Sequence, residues 1–210
     1  MGSRGEEQPP VPEREESLVL KSIDKNTFVP MPVVLVGTMH NGEPNFSPVG
    51  WISRVNAQPP MLGIGLYKGH ATTAAIEEHR EFSVCLPGKE LIERVDYCGL
   101  VSARKASKAG VFKTFTNELR FAPMIEECPL CIECKLVKSV DLPSNTFFIG
   151  EIVAAYADPL ILTDDKPDMT KMHGLILTMP DNRYWNIGDT IGQAWGIGKT
   201  YRSGGKAGGA

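Results

Sequence analysis

The chain has 210 residues, 42% of them hydrophobic and 22% charged, a length that suits one compact domain and a composition near the globular average. No apolar run approaches the ~18 residues that span a bilayer, so membrane, collagenous and wholly disordered classes are excluded. The net charge of −3 belongs to the N-terminus: residues 1–16 carry five acids against two bases, leaving 20 of each over residues 17–210. A body without basic excess is a poor nucleic-acid binder, because that affinity rests on neutralising phosphates.

Residues 1–17 and 203–210 are rich in Gly, Pro and charge with little to bury, and read as a disordered and a flexible tail around one domain at 18–202. No secretory or transit pattern is visible, so a cytoplasmic protein is expected. Five cysteines are too few for a disulfide scaffold and odd in number, which suits free thiols in a reducing compartment.

In chain order, VVLVGTM (33–39) and NFSPVGWISRV (45–55) are extended runs joined through Asn41-Gly42, the strongest short hairpin signal because a type I′ turn needs φ > 0 at both central residues. Pro59-Pro60 ends that segment and MLGIGL (61–66) is a third strand. TTAAIEEH (72–79) is a helix opened by a capping threonine, and FSVCL (82–86) a fourth strand. Leu91, Ile92 and Val95 repeat at helical spacing before a polar loop at 102–110. LCIECKLVKSV (130–140) and TFFIGEIVAAYA (146–157) form a second meander about a turn at 142–145. An acidic, Pro-containing connection at 158–173 leads to the short strands LILT (175–178) and RYWNIG (183–188). Many short strands, few short helices and no βαβ alternation predict a mainly β protein, a closed antiparallel barrel with helices over its ends.

Cys128, Cys131 and Cys134 have the C-x2-C-x2-C spacing that begins a ferredoxin cluster run, without a fourth Cys. Alternation along an extended segment sets Cys128, Leu130, Ile132 and Cys134 on one face and Cys131 with Glu133 on the other, so the three thiolates do not converge. Structural cysteines and no metal site are expected, with Cys131→Ser nearly silent and Cys134→Ser destabilising. Gly196-Ile197-Gly198-Lys199-Thr200 resembles the end of a phosphate loop, but Gln193 stands where its first Gly belongs. Gly63 and Gly65 read as small residues in a curved strand.

No Ser-His-Asp set assembles, and the four histidines lack metal-ligand spacing. His70 is the one that draws notice, because Lys68, His70, Thr72 and Thr73 lie together where a strand passes into a helix. Free amides, the positive dipole end and these side chains suit a phosphate, although a simply capped helix is an equal reading. A second basic segment, Ser102 to Lys108, contains no acid and includes Arg104 and Lys105. Two such segments in a neutral body suggest one anion held between them.

In order, the segments PVVLVGT (32–38), NFSPVGWIS (45–53), Pro59-Pro60, Thr72 or Thr73 to Ile76 before EFSVCLP (81–87), CGLVSARKASK (98–108), APMIEECPLCIEC (122–134), NTFFIGEIV (145–153) and YWNIGDTIGQAWGIGK (184–199) resemble the flavin reductase-like family, most closely its flavoredoxin-type members. The resemblance spans about Pro32 to Lys199 and implies an FMN-binding split β-barrel, antiparallel and Greek-key-like, working as a homodimer with FMN in a groove near the subunit interface. By that resemblance Ser47, Pro48, Val49, Gly50, Trp51 and Ser53 line the isoalloxazine, with Trp51 near the ring, and Thr72 and Lys108 hold the phosphate. Ser102 and Arg104 match a family loop written S-G-R-D-x-D-K-F, in which this chain has Ala103 for Gly, Lys105 and Ser107 for the two Asp, and Ala109 for Phe.

The expected function is that of a redox flavoprotein in which the flavin carries the chemistry and no side-chain nucleophile is required. NADH or NADPH is the expected electron donor in a flavin reductase. The alternatives are a flavoredoxin-type carrier with tightly bound FMN that exchanges electrons with a redox protein partner, and a flavin-storage module without turnover. Neither nucleic acid nor membrane is an expected partner.

Overall fold

The computed structural model describes residues 20–201, and both predicted tails lie outside the described residues. The strands and helices, numbered in chain order, are β1 (Phe28–Pro32), β2 (Val34–His40), β3 (Glu43–Val49), β4 (Ile52–Asn56), β5 (Met61–Tyr67), α1 (Ala71–His79), β6 (Glu81–Leu86), α2 (Ile92–Leu100), β7 (Thr114–Phe115), β8 (Met124–Ile125), β9 (Leu130–Asp141) and β10 (Asn145–Ala157). They continue through β11 (Leu162–Thr163), β12 (Lys166–Pro167), α3 (Met169–Met172), β13 (Leu175–Met179) and β14 (Arg183–Asn186).

The predicted hairpin is present: β2 pairs with β3 from Val34↔Val49 to His40↔Glu43, and Asn41 and Gly42 take φ of 51° and 79°. These left-handed values are free for Gly and tolerated by Asn. The run at 45–55, read as one extended stretch, is instead two strands broken at Gly50-Trp51. They fall on opposite edges of a seven-stranded sheet ordered β3-β2-β6-β9-β10-β5-β4. Strands lie about 4.8 Å apart, so flat edges would be about 29 Å from each other. The chain from Val49 to Ile52 spans at most about 11 Å. The sheet must therefore curl on itself, and the opening between β3 and β4 is where the barrel is split.

Inside the curl lie Val34, Val36, Val49, Leu62, Ile64, Leu66, Phe82, Val84, Cys134, Leu136 and Phe148, with Ile76 of α1 packed into them. A second cluster covers the outside of β2, β6 and β9 with Val95 and Cys98 of α2 and Met124 and Ile125 of β8. The glycines of β5 have the predicted role. A Cβ on Gly63 would clash with the Phe147 ring, and one on Gly65 would press on Trp51 at 3.4 Å. β1 was not predicted, because Pro30 and Pro32 suppress a strand reading. It is an edge strand of the small sheet β1-β13-β14, the position where missing N–H groups are tolerated.

The cysteines depart from the alternation argument. Cys134 faces the barrel interior and Cys131 the outer cluster, as expected, but Cys128 joins Cys131 outside. The strand starts only at Leu130. Cys128 sits in a turn closed by its N–H to Ile125 O at 3.2 Å, so strand periodicity does not reach it. Cys131 is 2% exposed, and the expectation that Cys131→Ser is nearly silent is replaced by one of measurable destabilisation. Gly196 to Thr200 holds only a single 3-10 turn over Ile197–Thr200, with no helix following it among the described residues.

Candidate flavin site

Strand β5 ends at Tyr67 and a tight turn closed by His70 N–H to Tyr67 O (3.0 Å) starts α1. His70, not a threonine, is the N-cap, and it makes no side-chain capping bond. Thr72 and Thr73 lie inside the first turn with both hydroxyls committed to the fold. Thr73 Oγ1 donates to Tyr67 O at 2.8 Å. Thr72 Oγ1 shares a 2.6 Å hydrogen bond with Ser47 Oγ and accepts from Asn45 Nδ2 at 3.0 Å. The predicted capping threonine is thus a brace between α1 and β3, and the start of the helix is left with uncapped amides and no acid in its first turn. That arrangement attracts an anion.

The basic loop 102–110 is fastened to the same region. Ser102 Oγ accepts from Arg104 N–H (3.3 Å) and Ser107 Oγ donates to Glu43 Oε2 (2.6 Å). Lys108, 6% exposed, donates from Nζ to Phe46 O at 2.9 Å and Cys98 O at 2.7 Å. An ammonium has three N–H donors, so one remains for a ligand oxygen. Burial lowers the Lys108 pKa. His70 is also held below its ordinary value, first by burial and then by the charges of Lys108 and Arg104. The two basic segments, 29 to 40 residues apart in sequence, therefore meet at one place. Lys68 does not join them: its Nζ pairs with Asp141 Oδ1 of β9 at 2.6 Å.

Along β3, Asn45, Ser47 and Val49 share one face, and Asn45 and Ser47 are the members that meet α1. Val49 points into the barrel core, so its contribution to a ligand is through backbone. Pro48 is half-buried on the opposite face, with Gly99 of α2 beside its ring. Gly50 turns the chain toward β4, with Met31 and Leu177 beside it. Trp51 lies over Gly65 and is 52% exposed. Ser53 is exposed, its Oγ donating to Arg54 O at 3.2 Å. Sequence reasoning missed Asn45, two residues before the stretch it singled out. The buried Asn45 Oδ1 has no hydrogen-bond partner in the protein, an arrangement that costs free energy unless a ligand completes it.

An uncapped helix start, converging cations, an orphaned buried acceptor and an exposed tryptophan fit a phosphate-bearing aromatic cofactor. A curled, split antiparallel barrel carrying such a site defines a class of flavin-binding proteins. Residues 26–169 match the flavin reductase like domain, and the chain belongs to that family. It is similar to the flavoredoxin of Methanosarcina acetivorans, 48% identical with a TM-score of 0.84, covering 87% of this chain and 98% of that one. The flavoredoxin of Desulfovibrio vulgaris (Miyazaki F) is 29% identical at a TM-score of 0.80, over 86% and 100% of the two chains. An uncharacterised protein of Archaeoglobus fulgidus is 31% identical over 130 residues, 60% of this chain and 72% of that one. The chain is a flavin-binding redox protein with a split-barrel fold. Among the described residues no helix is long and apolar enough to cross a membrane.

Proposed function

We propose that the flavin is FMN and that the protein works as an electron-transfer flavoprotein of the flavoredoxin type, passing electrons between redox protein partners. The observation that carries the FMN reading is the single focus of the Lys108 and Arg104 charges, both felt by His70 at the α1 N-terminus, which suits one terminal phosphate. The α1 amides and Arg104 would bind that phosphate, with the remaining Lys108 N–H behind it. Asn45 Oδ1 would accept from a ribityl hydroxyl, and Trp51 would shield one side of the ring system from water. When bound, FMN supplies one- and two-electron transfer. The chain's own part is to position the cofactor and exclude water, for which no side-chain acid or base is needed.

A homodimer belongs to this reading. Trp51, Val55 and Tyr67 stand 52%, 42% and 55% exposed on β4 and β5 and the link before them, an apolar patch that a second copy would cover. The second functional reading, direct reduction by NADH or NADPH, is supported by the flavin reductase like match over residues 26–169. The similarity to the Methanosarcina flavoredoxin over 87% of the chain favours the carrier. Anaerobic stopped-flow mixing of FMN-loaded protein with NADH and then NADPH separates them. The carrier reading predicts oxidised flavin persisting for minutes with either nucleotide and rapid bleaching by a reduced electron-transfer protein. Bleaching by a nucleotide within seconds would overturn it in favour of the reductase.

A further inference from the structure

Cys85 of β6 and Cys131 of β9 are directly paired across the antiparallel ladder. Cys128, from the turn that leads into β9, is buried with both in the same outer cluster. Cys128-Pro129-Leu130-Cys131 is in sequence a C-x-x-C unit. None of the three takes part in the flavin site. All are free thiols, and their burial differs in a useful order: Cys85 0%, Cys131 2% and Cys128 7% exposed.

A cleft of about 270 Å³ reaches this group from the surface, lined by Phe115, Ile125, Glu126, Tyr156 and Asp158 together with Cys128 and Cys131. Cys85 does not line it. We propose that Cys128 and Cys131 are a peroxide-oxidised dithiol that closes reversibly to a disulfide, with Cys85 the unreactive thiol packed behind them. The cleft selects the oxidant. The carboxylates of Glu126 and Asp158 line it, so an anionic small disulfide such as oxidised glutathione is repelled while neutral hydrogen peroxide enters.

Cys131 reacts first. It lines the cleft from a fixed position on β9, its thiol donating to Ile125 O at 3.4 Å, and its pKa is lowered, chiefly by the neighbouring Cys128 thiol, while those of Cys128 and Cys85 are raised. The Cys131 thiolate attacks one oxygen of peroxide, the O–O bond breaks, and hydroxide leaves to be protonated as water. Cys131 is then a sulfenic acid. The Cys128 sulfur attacks the Cys131 sulfur, the S–O bond breaks, and the Cys128 proton leaves with hydroxide as a second water. Two thiols and one peroxide give one disulfide and two waters. Cys128 is the partner that closes the bond because it sits on a turn, where the backbone can adjust more cheaply than at Cys85 in the middle of two ladders.

The test uses the full-length protein, with and without FMN, treated with a small excess of hydrogen peroxide at pH 7. Remaining thiols are alkylated under denaturing conditions, the disulfide is reduced, and the new thiols are labelled with a second reagent before peptide mapping. The proposal predicts the second label on Cys128 and Cys131 alone, its full reversal by dithiothreitol, and at least tenfold slower loss with oxidised glutathione at equal concentration. In Cys128→Ser, dimedone should trap Cys131 as the sulfenic acid. No thiol loss at peroxide levels that oxidise the surface methionines, a second label on Cys85, or equal rates with the two oxidants would each overturn it. The wild-type measurement decides even if the variant fails to fold.

Discussion

Arg104→Ala should weaken FMN about tenfold and leave riboflavin, which has no phosphate, almost unchanged. Arg104 is exposed on a loop whose turn is made by backbone and Ser102, so its removal disturbs no packing, and a hydrogen bond to a charged group is worth roughly 1.5–3 kcal/mol. Lys108→Ala should cost more, about ten- to a hundredfold for FMN. Its Nζ also ties the loop to Phe46 O and Cys98 O, so a smaller loss for riboflavin accompanies it. Lys105→Ala is the control, since Lys105 is exposed on the same loop and a diffuse electrostatic effect would act there equally. Paired fluorescence titrations of both ligands against the three variants check the set. Equal losses for FMN and riboflavin in Arg104→Ala, or equal losses from Lys105 and Arg104, would place the phosphate elsewhere.

Glu133→Ala should be the most damaging single change to the fold. Glu133 is 0% exposed, and its carboxylate accepts from Leu119 N–H at 2.9 Å, Glu118 N–H at 3.2 Å and Tyr156 Oη–H at 3.0 Å. Asn117 Nδ2 donates in turn to the Tyr156 oxygen at 2.6 Å. One side chain on β9 thus fastens the whole segment 117–119 to the outside of the barrel. Truncation leaves two backbone donors and a hydroxyl without partners, a loss of about 3–5 kcal/mol, or roughly 6–20 °C in melting temperature for a domain of this size. Glu133→Gln keeps one acceptor oxygen and should lose less than half as much. Thermal melts of the two variants check this, and a fall of under 2 °C for alanine, on the order of 1 kcal/mol or less, would contradict the structural role of Glu133.

The parts of this fold that were legible in the sequence are those governed by local chemistry. Asn41-Gly42 could do little but turn, and β9 and β10 announce themselves by length and β-branched content. What was not legible depends on which strand meets which. Nothing local says that Val49 and Ile52, with only two residues between them, belong to opposite edges of a sheet. Phe28–Pro32 is a strand only because β13 offers it an edge. Cys128 was misplaced because a periodicity argument was extended past the point where the strand begins.

The site shows the same division. Two basic segments and the start of a helix were readable as an anion site, and His70, Arg104 and Lys108 do converge. The details that fold back on the protein were hidden: Lys68 pairs with Asp141 from the far hairpin, and Thr72 braces α1 against β3. Asn45 carried a signal in its place within NFSPVG, but its unpaired oxygen is a property of burial, which sequence alone does not display.

Binding of a flavin with one phosphate is measured most directly by the melting temperature of the chain as FMN is added, read beside the visible spectrum of the purified protein. The expected result is a yellow protein that releases FMN on boiling and gains about 2.7 kcal/mol of stability when free FMN is a hundredfold above its dissociation constant, with riboflavin giving a clearly smaller shift. A colourless protein whose melting temperature ignores FMN would contradict it.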